Sequence, residues 1–207
     1  MYKRLGVSNT DIALFTSWLY FPWVIKPIWS PFVDLIKTKR WWIYSMQLLI
    51  GGGMAGVAFV LPGDFFLRFT LAFFWLMAFS SATHDIAADG FYMLGLTEEQ
   101  QAFFIGIRNT FYRVAMLTGQ GLLVMLAGLL EESTGRISFA WSLVFFVLAG
   151  TFIALALWHK YILPRPASDA QRTNITPHTI LVEFGNTFVS FFSKKGIIPA
   201  SVSYTHL

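Results

Sequence analysis

FFLRFTLAFFWLMAFSSATHDIAADG, residues Phe65 to Gly90, is apolar for most of its length and closes on a histidine and two aspartates. As a helix, the span Phe65 to Ala88 is long enough to cross the hydrocarbon of a bilayer. An ionisable side chain near the centre of such a helix costs about 3 kcal/mol on insertion scales, so it is expected to face a partner or a water-filled path. Asp85 and Asp89 are four residues apart and therefore lie one above the other on one helical face.

Composition agrees with a membrane chain. Of 207 residues, 56% are hydrophobic, 18% aromatic and only 13% charged, with a mean hydropathy of +0.59. A soluble domain carries about a quarter charged residues to solvate its surface. The formal net charge of +4 is therefore read through membrane topology, and no nucleic-acid partner is expected. The absence of cysteine excludes thiol catalysis, disulfides and thiolate metal sites. No cleavable signal is visible in Met1 to Val7, which is short and largely polar.

Moving outward from Phe65, a window of about 20 residues finds further apolar spans. In all they run Ile12 to Val33, Trp41 to Leu61, Phe65 to Ala88, Phe103 to Leu130 and Phe139 to Ile162. None alternates in polarity as a β-barrel strand does. Ser8 reads as a helix cap with Asp11 in the first turn, Leu61-Pro62-Gly63-Asp64 as a turn, and Gly95-Leu96-Thr97-Glu98-Glu99 as the restart of a helix. Lys37, Lys39 and Arg40 follow the first span and Lys160, Arg165 and Arg172 the fifth, so both basic sets fall on one side, expected to be cytoplasmic. That orientation puts Met1 outside and leads to the expectation of a further span upstream.

The domain reading is a partial transmembrane bundle over 1–163, a polar cytoplasmic linker over 164–178, and an amphipathic helix with the start of another span over 179–200. The helix rests on Ile180, Leu181, Phe184, Phe188, Phe191 and Phe192 at helical spacing. Residues 201–207, ending Val202-Ser203-Tyr204-Thr205-His206-Leu207, resemble sequencing-adapter read-through and are read as a non-native tail.

Polar residues inside the spans carry two readings each. His84, Asp85 and Asp89 could couple protons or gate, since low dielectric disfavours the ionised carboxylate; they could equally form a structural ion pair with Arg108 or Arg113. Asp85 is expected to be the deeper aspartate. Lys26, among Pro22, Pro27 and Pro31 in the first span, could face a cavity or snorkel toward headgroups. In the fourth span Asn109, Tyr112 and Arg113 share a face that, with Arg108 and Gln120, suits an anionic or sugar-bearing ligand. Gly119, Gly121 and Gly128, like Gly51-Gly52-Gly53 and Gly56, read as helix-packing positions.

Trp23-Val24-Ile25-Lys26-Pro27-Ile28-Trp29-Ser30-Pro31-Phe32-Val33-Asp34, Ser81-Ala82-Thr83-His84-Asp85-Ile86-Ala87-Ala88-Asp89 and Tyr112-Arg113-Val114-Ala115-Met116-Leu117 resemble the AmpG-like permeases of the major facilitator superfamily, over nearly all of Tyr2 to Ala200. The resemblance implies an all-α integral membrane protein with a partial major facilitator fold, comprising helices two to six of twelve plus the central cytoplasmic linker. It implies a multi-pass protein of the bacterial inner membrane that imports muropeptides with protons by alternating access. Asp34, Lys39 and Arg40 would then be a weakened form of the superfamily's cytoplasmic loop motif, with Ser30 where a glycine is usual and Leu35 where a basic residue is usual. Asp85 or Asp89 would carry the family's acidic residue.

Other classes remain as alternatives: a major facilitator transporter for another amphiphilic or anionic solute, a lipid enzyme using His84, Asp85 and Asp89 as metal ligands, and a transport-dead sensor. Paired-aspartate phosphatidyl-group transferases follow their aspartates with a basic residue, whereas Asp89-Gly90 leads into Phe91-Tyr92, so no enzyme, metal or cofactor is expected. The expected partners are the lipid bilayer, a small glycopeptide or similar solute, and protons.

Overall fold

The computed structural model describes residues 1–169 and, beyond them, residues 182, 184–186, 189, 190 and 193. The amphipathic helix expected over 179–200 lies mostly outside the described residues, as do most of the linker and all of the 201–207 tail. Among the described residues the chain is helical without strands. A 3-10 turn, Tyr2–Leu5, precedes α1 (Asn9–Trp18), α2 (Phe21–Val24), α3 (Lys26–Ile36), α4 (Lys39–Val60), α5 (Phe66–Gly95) and α6 (Glu98–Leu117); a π turn, Thr118–Leu122, leads to α7 (Leu123–Thr134), then α8 (Ile137–Ile162) and a final 3-10 turn, Ala167–Asp169.

Local chemistry sets these boundaries. The Ser8 side chain accepts the Asp11 N–H, and Thr38 accepts that of Trp41. Thr97 and Gln100 form a reciprocal capping box at the start of α6. Leu61 to Phe65 turns the chain between α4 and α5. Gly135 ends α7 at φ 65°, a left-handed conformation that glycine adopts without Cβ strain.

Among the described residues, four stretches are long and apolar enough to cross a membrane: α4, α5, α6 through α7, and α8. The first expected span, Ile12 to Val33, differs, because it is divided into α1, α2 and α3. Pro22 and Pro27 each lack the backbone donor that would continue the preceding helix, and each takes a first-turn position of the next one, where no donor is needed, so the breaks fall at Tyr20 and Ile25. Pro31 is tolerated inside α3. The fourth span also departs from regular geometry, at the π turn containing Gly119, Gln120 and Gly121.

α4 lies between α5 and α8. Its glycines allow the approach: a Cβ at Gly51 would stand 2.9 Å from Ile153 Cγ1 and 3.2 Å from the Ala149 carbonyl oxygen of α8, and one at Gly53 would stand 2.6 Å from Met77 Cγ of α5. Around this contact Ile50, Val57 and Met77 are buried, with Phe73, Phe74, Phe145 and Phe152 against them. Nearer the start of α4, Val33, Ile43 and Ala87 form a second cluster covered by Trp29 and Trp42. At the far end the Tyr2 hydroxyl lies 2.7 Å from Thr70 Oγ1, and Arg4 Nε donates to Glu131 Oε2 at 3.3 Å. By contrast Gly52, Gly119, Gly121 and Gly128 meet nothing within 4 Å, so the packing role read for all these glycines is fulfilled here at Gly51, Gly53 and Gly56.

Behind the Ile153 side chain, the Ala149 carbonyl oxygen and the Ile153 nitrogen, 3.2 and 3.3 Å from a Cβ at Gly51, are helix backbone and cannot rotate away. Gly51→Val should destabilise the bundle by about 1–3 kcal/mol through overpacking, read as a lower thermal midpoint in detergent, whereas Gly52→Val should leave the midpoint nearly unchanged.

Candidate functional site

α5 carries the charges that motivated the sequence reading, and the structure supplies their partners. Lys26, the first residue of α3, is placed beside α5 by the Pro22 and Pro27 breaks, and its Nζ pairs with Asp85 Oδ2. One turn along α5, Asp89 Oδ1 accepts from Arg108 Nη2 of α6 at 2.6 Å. The Arg108 guanidinium also lies 5.0 Å from the centroid of the Tyr92 ring, a cation–π contact that fixes its approach. Each aspartate on this face is thus neutralised by a cation from a different element.

The two pairs differ in burial. The side chain of Lys26 is 23% exposed and that of Asp85 44%, whereas Arg108 and Asp89 are 50% and 48% exposed. The two aspartates are therefore exposed to similar degrees, and the pairs differ chiefly in the burial of their cations. Of the two arginines considered as partners, Arg108 makes the pair. The Nε2 of His84 is buried and has no hydrogen-bond partner among the described residues.

The side chains of Asn109, Tyr112, Arg113 and Gln120 are exposed and make no hydrogen bond or ion pair among the described residues. The structure does not bring them to Lys26 or Asp85. α6 and α7 bury little of their surface against the rest of the chain, so this polar face stands open.

Asp34, Lys39 and Arg40 are brought together in a clasp at the end of the bundle where α4 begins. Lys39 Nζ pairs with Asp34 Oδ1, and its stem crosses Gly90, where a Cβ would stand 2.8 Å from Lys39 Cε. Arg40 donates through Nε to the Leu163 carbonyl at 3.0 Å and through Nη2 to that of Lys160, occupying carbonyls left free at the end of α8. Sequence reasoning missed Asp169, whose carboxylate accepts the backbone N–H groups of Lys39 at 2.7 Å and Arg40 at 3.1 Å, a favourable place for an anion at a helix N-terminus. Ser168 Oγ adds a bond to the Leu94 carbonyl at 3.3 Å. Also missed was the pair His159 Nδ1 and Gln47 Oε1, 2.8 Å apart between α8 and α4; the available signal was the same as for Asp85, a polar residue within an apolar span.

Among the described residues, no group of three or more His, Cys, Asp and Glu side chains is placed to hold a metal ion; Asp85 and Asp89 are held by cations.

Apolar helices of bilayer length, among them α5 with Asp85 and Asp89 each paired to a cation, define a multi-pass α-helical membrane protein. The model of the BT1 family matches residues 1–180, and the chain belongs to that family. Over 130 residues it is 31% identical to the anhydromuropeptide permease of Escherichia coli strain K12, an alignment covering 59% of this chain and 26% of that protein. This supports the resemblance to AmpG-like permeases. It is 27% identical over 203 residues to an uncharacterized protein of Haemophilus influenzae, covering 86% of this chain and 40% of that one. It is also 27% identical over 112 residues to an uncharacterized protein of Schizosaccharomyces pombe, covering 49% of this chain and 21% of the relative. The chain spans well under half the length of these relatives. No solved structure matches it at comparable significance.

Asp169 is the contact most exposed to test. Asp169→Ala should remove a cap worth about 1 kcal/mol, and hydrogen exchange should quicken at the amides of Lys39 and Arg40 while the amides of the α4 centre stay protected.

Proposed function

We propose that this chain is part of a proton-coupled importer of anhydromuropeptides in the bacterial inner membrane, serving cell-wall recycling. The observation that carries the reading is the face of α5, where two aspartates one turn apart are each held by a cation from a different element. Membership of the BT1 family and the likeness to a permease support the transport class.

The mechanism follows from the cost of charge in low dielectric. Ionised Asp85 ties α5 to α3, and a proton on Asp85 cancels that tie, so protonation loosens one helix contact while the Asp89–Arg108 pair holds the next turn. Alternation of access then changes which side reaches Asp85, and the proton leaves on the cytoplasmic side, taken here to be the end bearing Lys39, Arg40 and Lys160. Asn109, Tyr112, Arg113 and Gln120 form an open polar face with donors for sugar hydroxyls and carboxylates. His84, with its buried unpartnered nitrogen, lies next in sequence to the coupling carboxylate. The clasp of Asp34, Lys39 and Arg40 ties the helix ends together so that the bundle moves as one body. A second reading keeps the mechanism and changes the cargo to another amphiphilic or anionic solute; Arg113, a cation without an ion pair among the described residues, favours an anion in either case.

Uptake of labelled anhydromuropeptide into vesicles bearing the full-length transporter tests this. An inward gradient of one pH unit should drive about tenfold accumulation if one proton accompanies each solute, because 1.4 kcal/mol is tenfold in an equilibrium constant. Protonophore should abolish accumulation. Accumulation unaffected by protonophore would overturn the coupling, and absence of uptake would overturn the cargo.

A further inference from the structure

We propose that Lys26 is an anion-binding residue of the transport site and that Asp85 is its resident counter-ion, exchanged for a carboxylate of the solute when Asp85 takes up a proton. The inference rests on the transport reading above and specifies its substrate class as a carboxylate-bearing solute.

The pair is asymmetric in a way that permits exchange. Lys26 is the more buried member, 23% exposed against 44% for Asp85. Its backbone is fixed at the first position of α3, next to the break at Ile25, and the Pro27 ring follows directly. The carboxylate is the more accessible member, open to a proton and to displacement. Once Asp85 is neutral, Lys26 is left as a partly buried ammonium without its counter-ion, which is unfavourable until another anion arrives. A lysine ammonium is a compact point charge on a flexible stem and does not require the planar fork geometry that arginine matches. It can therefore follow a carboxylate presented from the solvent side.

Charge bookkeeping over the surrounding groups gives the coupling. Lys26, Arg108, Asp85 and Asp89 sum to zero when both aspartates are ionised. With Asp85 protonated the same four sum to one positive charge, which one carboxylate neutralises. Among the described residues, the other ionisable groups nearby do not supply the missing anion. On α5, His84 adjoins Asp85 but carries no negative charge. Asp34 of α3 is paired with Lys39 of α4, Asp89 is held by Arg108 of α6, and His159 of α8 is bonded to Gln47. Proton and carboxylate are thus bound together or not at all, and by linkage each raises the affinity for the other by the same factor.

The test uses the full-length transporter in proteoliposomes and two probes: an anhydromuropeptide with free peptide carboxylates and the same molecule with them amidated. In the wild type, affinity for the free acid should rise as pH falls, by at most about tenfold per pH unit if one proton is taken up with each solute, and the amidated probe should show no such dependence. Asp85→Asn should bind the free acid independently of pH and exchange it across the membrane, yet lose gradient-driven accumulation. Lys26→Gln should weaken the free acid by about tenfold or more, the loss of a charged hydrogen bond, and Lys26→Arg should restore most of it. The double variant Lys26→Gln/Asp85→Asn removes both charges without leaving either unpaired. It should bind the amidated probe within about twofold of the wild type, which separates loss of the site from loss of the fold. Equal weakening of both probes in that double variant, or a pH dependence that survives Asp85→Asn, overturns the exchange. A wild type that binds both probes equally overturns the exchange and leaves the transport reading standing, whereas one that binds neither overturns the transport reading and the exchange with it.

Discussion

Close approach of the α4 backbone to α8 and α5, permitted at Gly51, Gly53 and Gly56, is the constraint on which the other contacts depend. In lipid, apolar side chains gain little by leaving hydrocarbon for one another, so helices associate through van der Waals contact and interhelical hydrogen bonds where small residues let backbones meet. With α4 seated against α8, Gln47 reaches His159 and Arg40 reaches the last carbonyls of α8. With α4 seated against α5, the stem of Lys39 crosses Gly90 and its ammonium reaches Asp34. These contacts hold α5 on its inner side and leave its Asp85 and Asp89 face directed toward α3 and α6.

A different constraint delivers the cation to that face. Backbone donors and acceptors in hydrocarbon must be satisfied within the chain, which normally enforces a continuous helix. Pro22 and Pro27 break that continuity and give helices of 10, 4 and 11 residues in place of one span. The consequence is positional: Lys26 starts a helix instead of continuing one, and its stem leads to Asp85. A straight helix through the same residues would fix Lys26 by the phase of the apolar residues around it, with no reason to meet α5.

Much of this was legible in the sequence because it depends on local chemistry. The spans Trp41 to Leu61, Phe65 to Ala88 and Phe139 to Ile162 emerge close to α4, α5 and α8, and Ser8 and the Leu61 turn behave as their residue types require. The two breaks in the first span were not legible to a hydropathy window, which sums side chains and is blind to a missing N–H. The π turn was hidden for a related reason, since it is a change in hydrogen-bond register within an unbroken apolar run. For the site, that charges on α5 need partners was readable; which partners was not. Arg108 and Arg113 lie at different phases of α6, and the choice depends on where the capping box of Thr97 and Gln100 starts that helix relative to the end of α5. Asp169 was the least legible of all. It lies some 130 positions from the amides it caps, and nothing in a polar linker distinguishes an aspartate that solvates the chain from one that returns to a helix N-terminus.

The pairs on α5 and the open face of α6 pose a common physical problem with different solutions. Along α5 each negative charge has a cation within the chain, so the face is close to neutral and tolerates a low-dielectric setting. Along α6 and the π turn, Asn109, Tyr112, Arg113 and Gln120 lie exposed in a segment apolar enough to cross a membrane. An arginine and amides cannot be left against hydrocarbon without a cost of several kcal/mol. This face must therefore meet water or further protein. A neutral, self-satisfied face on α5 and one on α6 that demands solvent or a partner thus meet the same cost of charge in hydrocarbon in two ways, the first from within the chain and the second only from outside it.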